Sequence, residues 1–496
     1  MPRRTLLTLK TAVCAMALAT VAVSLTVTAA KDARQKTNSP QQATPAGLER
    51  ELKAVEHRVD QIEARALAEV NSKSLDSLDP FERVTLLGEL LLFDKQLSVN
   101  RNMACASCHM PETGFTGPIS SVNLTTVSYP GSVHIRHGAR KPQSYSYATF
   151  APVLHYDQLK GDFVGGNFWD MRATGIRLQS PTAEQAQGPP LNPLEMGLPD
   201  SACMVYRVSQ RPYRQLFEKV WGKQAFAIKW AADVEKACGT PGPAPTNDPF
   251  PVHLGPSDRD ISNLTYDQIA LAIAAYEASP DVNPFTSKFD YVQAGKAQFT
   301  SEEKAGYDLF RGKAKCNECH RDGGPTEEPL FTDFTATNLG IPRNSAIPFF
   351  QESKPDLSGY IANSLGANYV DTGVGGFLND APNTAWKSYT SKFNARFQVP
   401  TLRNVDMRPR QDFVKAYMHN GYLKSLKEVV HFYNTRDVLP SCKPNDPGEK
   451  VSCWPAPEDS SNLNKTQLGK LGLTDEEENS IVSFLKTLTD GFKKPK

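Results

Sequence analysis

The stretch NMACASCHMPE at 102–112 sets Cys105 and Cys108 two residues apart, with His109 directly after. The arrangement returns in AKCNECHRDG as Cys316, Cys319 and His320. No other feature limits the fold as strongly, because two thiols and an imidazole on one turn must face one object. Structural zinc asks for four ligands, usually from paired clusters close in sequence, and a histidine abutting the second cysteine is too near for such a hairpin. A thioredoxin-like pair would sit at a βα junction, and the surrounding pattern has none. Covalent attachment of a c-type haem remains: each thiol adds to a vinyl group and the histidine becomes the proximal iron ligand. With 9 Cys and 9 His in 496 residues, chance gives CxxCH roughly 0.003 times, and it occurs twice.

The compartment agrees. Arg3, Arg4 and Lys10 precede a run without charge from Thr11 to Ala30. This reads as an export signal cut near Ala29–Ala30, with a retained membrane anchor as the alternative. The expected location is the periplasm, free or anchored to the inner membrane. Four further cysteines remain beyond the two sites and Cys14 of the signal. In an exported chain they imply two disulfides, and sequence proximity suggests Cys203–Cys238 and Cys442–Cys453. A net charge of +1 gives no nucleic-acid signal.

Residues 31–79 read as a polar linker followed by an amphipathic helix. Leu48, Leu52, Val55, Val59, Ile62 and Ala66 form a heptad stripe. It serves either a dimerising stalk, hence a homodimer, or a helix laid on the body. Helical patterns recur at 81–93, 205–237, 265–278, 301–311, 425–434 and 475–489. Loops rich in Gly and Pro fill 110–145, 239–258 and 321–382. The expected fold is mainly α: two cytochrome c-like haem domains with long loops, at 80–295 and 296–496, preceded by the signal or anchor (1–30) and the helical segment.

GYDLFRGKAKCNECH (306–320), FQVPTLRNV (397–405), YMHNGYLKSLKEVVHFYN (417–434), FWDMRATG (168–175) and EQAQGPPLNPLEM (184–196) resemble, in order, segments of the bacterial di-haem cytochrome c peroxidases and the related MauG-type enzymes. The resemblance runs from about 80 to 490. It implies a peroxide-reactive first haem on His109, with Gln185 and Glu195 over its open face and Glu195 as acid–base group. It makes Trp169 the electron or hole carrier between haems, six residues further from the glutamine than is usual. It makes His320 the proximal ligand of an electron-transfer haem. Tyr433 stands where gated peroxidases carry methionine and MauG-type enzymes tyrosine, with Met418, His419 and His431 as rivals. His137, with His134 as substitute, is the candidate cap of the first haem. A calcium ion would lie between the domains, on a side chain at 142 or 143 and on carbonyls near Val414 and Ala416.

The expected activity is reduction of hydrogen peroxide at the first haem, with electrons delivered through the second by a small cytochrome c or copper protein. One alternative is a MauG-like oxidation of Trp or Tyr residues in a partner protein. The other is a non-catalytic di-haem electron carrier, against which Glu195 and Gln185 speak.

Overall fold

Each half of the chain is built on a pair of packed helices whose starts are written in the sequence. Asp79 accepts from the amides of Phe81 and Glu82, and the Glu82 carboxylate accepts from the Asp79 amide, which starts the Pro80–Phe93 helix. Thr300 with Glu303, and Thr474 with Glu477, start Ser301–Arg311 and Asp475–Lys486 in the same way. Pro80–Phe93 packs on Pro256–Glu277, and a Cβ on Gly88 would collide with the Ala272 carbonyl. Ser301–Arg311 packs on Asp475–Lys486, where Gly306 meets the Ser480 carbonyl similarly. Glycine is what lets both backbones approach so closely.

The computed structural model describes residues 45–493 apart from 73, 244–247, 249, 325 and 326. The signal or anchor at 1–30 and the linker up to residue 44 lie outside the described residues. Among the described residues no helix is long and apolar enough to cross a membrane. One hydrophobic core gathers residues from Val59 to Val282, and a second, rich in aromatic rings, gathers residues from Phe289 to Leu488. Among the described residues strand is confined to short pairs, such as Ala336–Thr337 antiparallel to Phe397–Gln398, with Ala336 opposite Gln398. The fold is mainly helical, with long loops.

Two details differ from the sequence reading, and a third decides between its alternatives. The stretch 205–237 is several helices, among them Ser201–Ser209, Arg214–Trp221 and Val234–Cys238. Pro212 lacks the amide a continuous helix needs, and Gly222 takes φ 93°, outside helical space. The loop 321–382 contains the Gly373–Asp380 helix. The heptad stripe does not form a free stalk. In the helix Pro45–Ser72, Val59, Ile62 and Ala66 are buried in the first core. Arg65 reaches Glu89 at 2.6 Å and Glu63 reaches Arg211 at 3.2 Å. The helix is laid on the body.

Candidate active site

Cys105–Ser107 makes one tight helical turn, closed by the Cys108 amide on the Cys105 carbonyl at 3.1 Å. Gly114 and Phe115 are both left-handed, with φ 70° and 57°. They bring the Phe115 carbonyl to His109 Nδ1 at 3.1 Å. A carbonyl only accepts, so Nδ1 carries the proton and Nε2 keeps its lone pair. Burial lowers the His109 pKa to about 4 and raises that of the Cys105 thiol to about 12. The imidazole is therefore neutral, the form that binds iron.

Cys105, Cys108, His109, Trp169, Gln185 and Glu195 line one cavity with an empty volume of ≈ 2130 Å³, space open to solvent included. Glu195 arrives on the turn 192–195, closed by its amide on the Asn192 carbonyl at 2.9 Å. Asn192 Nδ2 donates to Glu195 Oε1 at 2.7 Å, and Asn192 Oδ1 accepts from the Leu194 amide at 3.0 Å. The amide is thereby oriented, with its donor on the carboxylate. Burial raises the Glu195 pKa, while the Arg172 charge and the Asn192 bond oppose it.

Gln185 stands on the short helix Pro181–Ala186, capped by Ser180. The additional residues between Trp169 and Gln185 are gathered by Glu184, which accepts from the Thr174 hydroxyl and from the amides of Gly175, Arg177 and Leu178. The longer spacing is absorbed in that loop, and Gln185 still lines the cavity.

His137 is elsewhere. Its Nδ1 and amide are held by Glu352 at 2.5 and 3.0 Å, and it does not line the cavity. The adjacent Arg136, 2% exposed, binds Asp356 and Ser358 at 2.7 Å. His134 pairs with Asn102 at 3.0 Å and is exposed. The segment around 352–360 thus clasps the loop that carries both histidines.

The second cavity, of ≈ 1560 Å³ on the same measure, repeats the proximal arrangement. Cys316–Glu318 forms the turn, and Phe331, at φ 54°, offers its carbonyl to His320 Nδ1 at 2.9 Å. Tyr433, from the Leu426–Thr435 helix, lines this cavity together with Met418 and His419. Burial raises the Tyr433 pKa, with the Cys316 and Cys319 sulfurs adding to it. His431 does not line the cavity: its two nitrogens meet Glu478 at 3.0 Å and the Val451 carbonyl at 3.3 Å. His419 stacks on Phe397 at 3.6 Å between centroids. Trp169 lines both cavities and donates from Nε1 to the Lys141 carbonyl at 3.2 Å. Cys203–Cys238 and Cys442–Cys453 are disulfides, and the four CxxCH thiols are free.

A family profile described as di-haem cytochrome c peroxidase matches residues 82–298. Over 414 residues the chain is 33% identical to the methylamine utilization protein MauG of Paracoccus denitrificans, covering 82% of this chain and 89% of that one. The chain belongs to the di-haem cytochrome c peroxidase and MauG family. It is 26% identical over 413 residues to the cytochrome-c peroxidase IdrP1 of Denitromonas iodatirespirans, covering 81% of this chain and 80% of that one. Its fold matches the solved structure of the diheme peroxidase BthA from Burkholderia thailandensis E264, with a TM-score of 0.60, 24% identity and coverage of 84% and 89%. Membership makes the chain an oxidoreductase of the di-haem peroxidase type.

The cavity residues fit the haems of that family. Each cavity offers two free thiols and a neutral imidazole in its lining. Calcium fits poorly. Gln143 Nε2 donates to Gln398 at 3.2 Å. The Pro142 carbonyl accepts from Thr116 Oγ1 at 2.5 Å and Lys141 Nζ at 2.9 Å. The Val414 carbonyl accepts from Asn123 at 3.0 Å. Gln143 Oε1 is buried without a partner, but one neutral oxygen falls far short of the about six to eight that calcium takes.

The sequence reading missed Asn192, Arg172, Lys141 and Lys415. Asn192 had a signal, three residues before Glu195 in the NPLE turn. The lysines had none, since a lysine reads as a solvated cation until its burial is seen.

Proposed function

We propose that the chain is an exported di-haem c-type enzyme that reduces hydrogen peroxide at the first cavity and draws the electrons through Trp169 and the second. The observation that carries this reading is the convergence of His109, Gln185, Glu195 and Trp169 on one cavity, with Glu195 held by Asn192. Cys105, Cys108, Cys316 and Cys319 form the thioethers, in two haem domains that divide near residue 295. His109 Nε2 would hold a haem iron, which when bound would supply the redox chemistry with peroxide.

The protein's part is proton handling and electron supply. Glu195 takes a proton from hydrogen peroxide and returns it to the oxygen that leaves as water. Gln185 orients the peroxide from the neighbouring turn. Each turnover consumes one peroxide, two electrons and two protons and yields two waters. Trp169, in the lining of both cavities, is the shared aromatic step for the electrons.

Two sources of electrons suit this chemistry: a small cytochrome or copper protein, and Trp or Tyr side chains of a partner protein, as in a MauG-type reaction. Tyr433 favours the second. A phenolate lowers the potential of a haem it binds, where methionine raises it, so Tyr433 as a ligand would make the second haem easier to oxidise. The position of His137 on Glu352 supports a first haem that is open at rest.

Rapid mixing of the fully oxidised protein with peroxide tests the reading. An immediate change in haem absorbance is expected. A response only after addition of one electron would identify a gated peroxidase and overturn the open-haem assignment. Failure of the reduced protein to bind carbon monoxide would return the chain to the class of electron carriers.

A further inference from the structure

Two lysines lie in the seam between the cavities, Lys415 buried and Lys141 half-buried. Lys415, 4% exposed, donates from Nζ to the carbonyls of Thr113 at 2.8 Å, Asn404 at 3.2 Å and Met407 at 2.8 Å. Thr113 follows the first CxxCH turn, while Asn404 and Met407 belong to the second half of the chain. Lys141 lines both cavities and donates to Thr116 Oγ1 at 3.0 Å and to the Pro142 carbonyl at 2.9 Å. Its Nζ stands 5.9 Å from the centroid of the Trp169 ring.

Neither ammonium shows a carboxylate partner. Of the acids near Lys415, Asp406 is bound by Arg408. Desolvation lowers both pKa values, that of Lys141 to about 8. Three carbonyls around one nitrogen still call for three N–H donors, which only the ammonium form has. Neutral carbonyl and hydroxyl oxygens are the ligands that a hard metal cation selects. Here they surround side-chain cations attached to the chain itself. Calcium was expected at 142–143 and 414–416; Lys141 directly precedes the first of these and Lys415 lies within the second.

We propose that Lys141 and Lys415 are built-in cations of the seam, standing where calcium would otherwise bind, so that the protein holds no calcium there and needs none. The two halves are then tied by a cation that no chelator can remove. The inference builds on the haem reading, but its test does not depend on peroxide activity.

The experiment uses the di-haem holoprotein, dialysed once against calcium chloride and once against EGTA. Elemental analysis and thermal unfolding are measured on both samples. The expected result is no stoichiometric calcium after removal of free ion, and the same Tm in both. One retained calcium per chain, or a Tm that falls in EGTA, overturns the proposal whether or not peroxide reacts. The variants Lys141→Met and Lys415→Met sharpen it. Each is expected to melt below the parent, with no recovery in calcium. Parental Tm for both variants would show the charges to be dispensable and would equally overturn the proposal.

Discussion

The two cavities are alike on one side and unlike on the other. In each, a CxxC turn precedes a histidine whose Nδ1 is fixed by the carbonyl of a left-handed phenylalanine, Phe115 or Phe331. The proximal side is thus made twice by one local device. The opposite sides come from remote, unrelated segments. The first cavity receives Gln185 and Glu195 from 181–196, and the second receives Met418 and Tyr433 from 417–433. Proximal geometry is local chain chemistry, whereas the division of labour is a tertiary property. The Glu195 carboxyl stands in one cavity and the Tyr433 phenol in the other.

The largest expected effect follows from removing that carboxyl. Glu195→Gln should slow the peroxide-driven absorbance change by about 10²–10⁴-fold, the usual worth of a positioned acid–base group. The second cavity should keep its spectrum. The pH dependence has a definite sign. Burial raises the Glu195 pKa, so less of it is carboxylate at mildly acid pH than for an ordinary glutamate. The rate should climb as pH rises through that value. Asn192→Leu removes a donor to the carboxylate, so the rising limb should move to higher pH. A limb that survives in Glu195→Gln would assign it to another group.

A second comparison concerns the clasp. Arg136 is buried and binds Asp356, itself mostly buried. Breaking a buried pair from one side typically costs about 3–5 kcal/mol. Arg136→Met should therefore lower Tm while leaving the second cavity's spectrum intact. An unchanged Tm would mean that the 352–360 segment holds the loop by other contacts.

Tyr433→Met should be milder for stability and visible mainly in the second haem. Methionine raises a haem potential that phenolate lowers. Redox titration should find the second potential shifted upward and the first little moved. An unchanged second-haem spectrum would exclude Tyr433 as an iron ligand and leave Met418 and His419 as the candidates among the lining residues.

Legibility in the sequence followed the same divide. The capping boxes at Asp79, Thr300 and Thr474 and the two CxxCH turns are short-range, and spacing alone announces them. Glu195 and Gln185 read as ordinary polar residues until the family resemblance raised them. The helix at 45–72 was visible as a stripe, but what the stripe packs against is a long-range matter, and Val59 and Ile62 meet the first core instead of a partner. The site of His137 depends on Glu352, 215 residues away. No local pattern carries that pairing. Burial of Lys415 was hidden for the same reason, since its acceptors come from both halves of the chain.

The smallest expected effect is that of His137→Ala on peroxide chemistry. The histidine is engaged through its ring and its amide by one carboxylate, and the ring is absent from the cavity lining. Alanine keeps the amide bond to Glu352 and loses the ring contact. The oxidised variant should therefore meet peroxide as fast as the parent, with only a modest fall in Tm. Glu352→Gln is the complementary change, because it weakens the hold on an intact histidine. If the cap exists, freeing His137 should slow the reaction of the oxidised protein, and adding His137→Ala should restore it. If the clasp merely braces the loop, both variants and their combination should react at the parental rate. The first outcome would make 352–360 the element that keeps the first cavity open. The second would leave Glu195 and Gln185 as the only determinants of how that cavity meets peroxide.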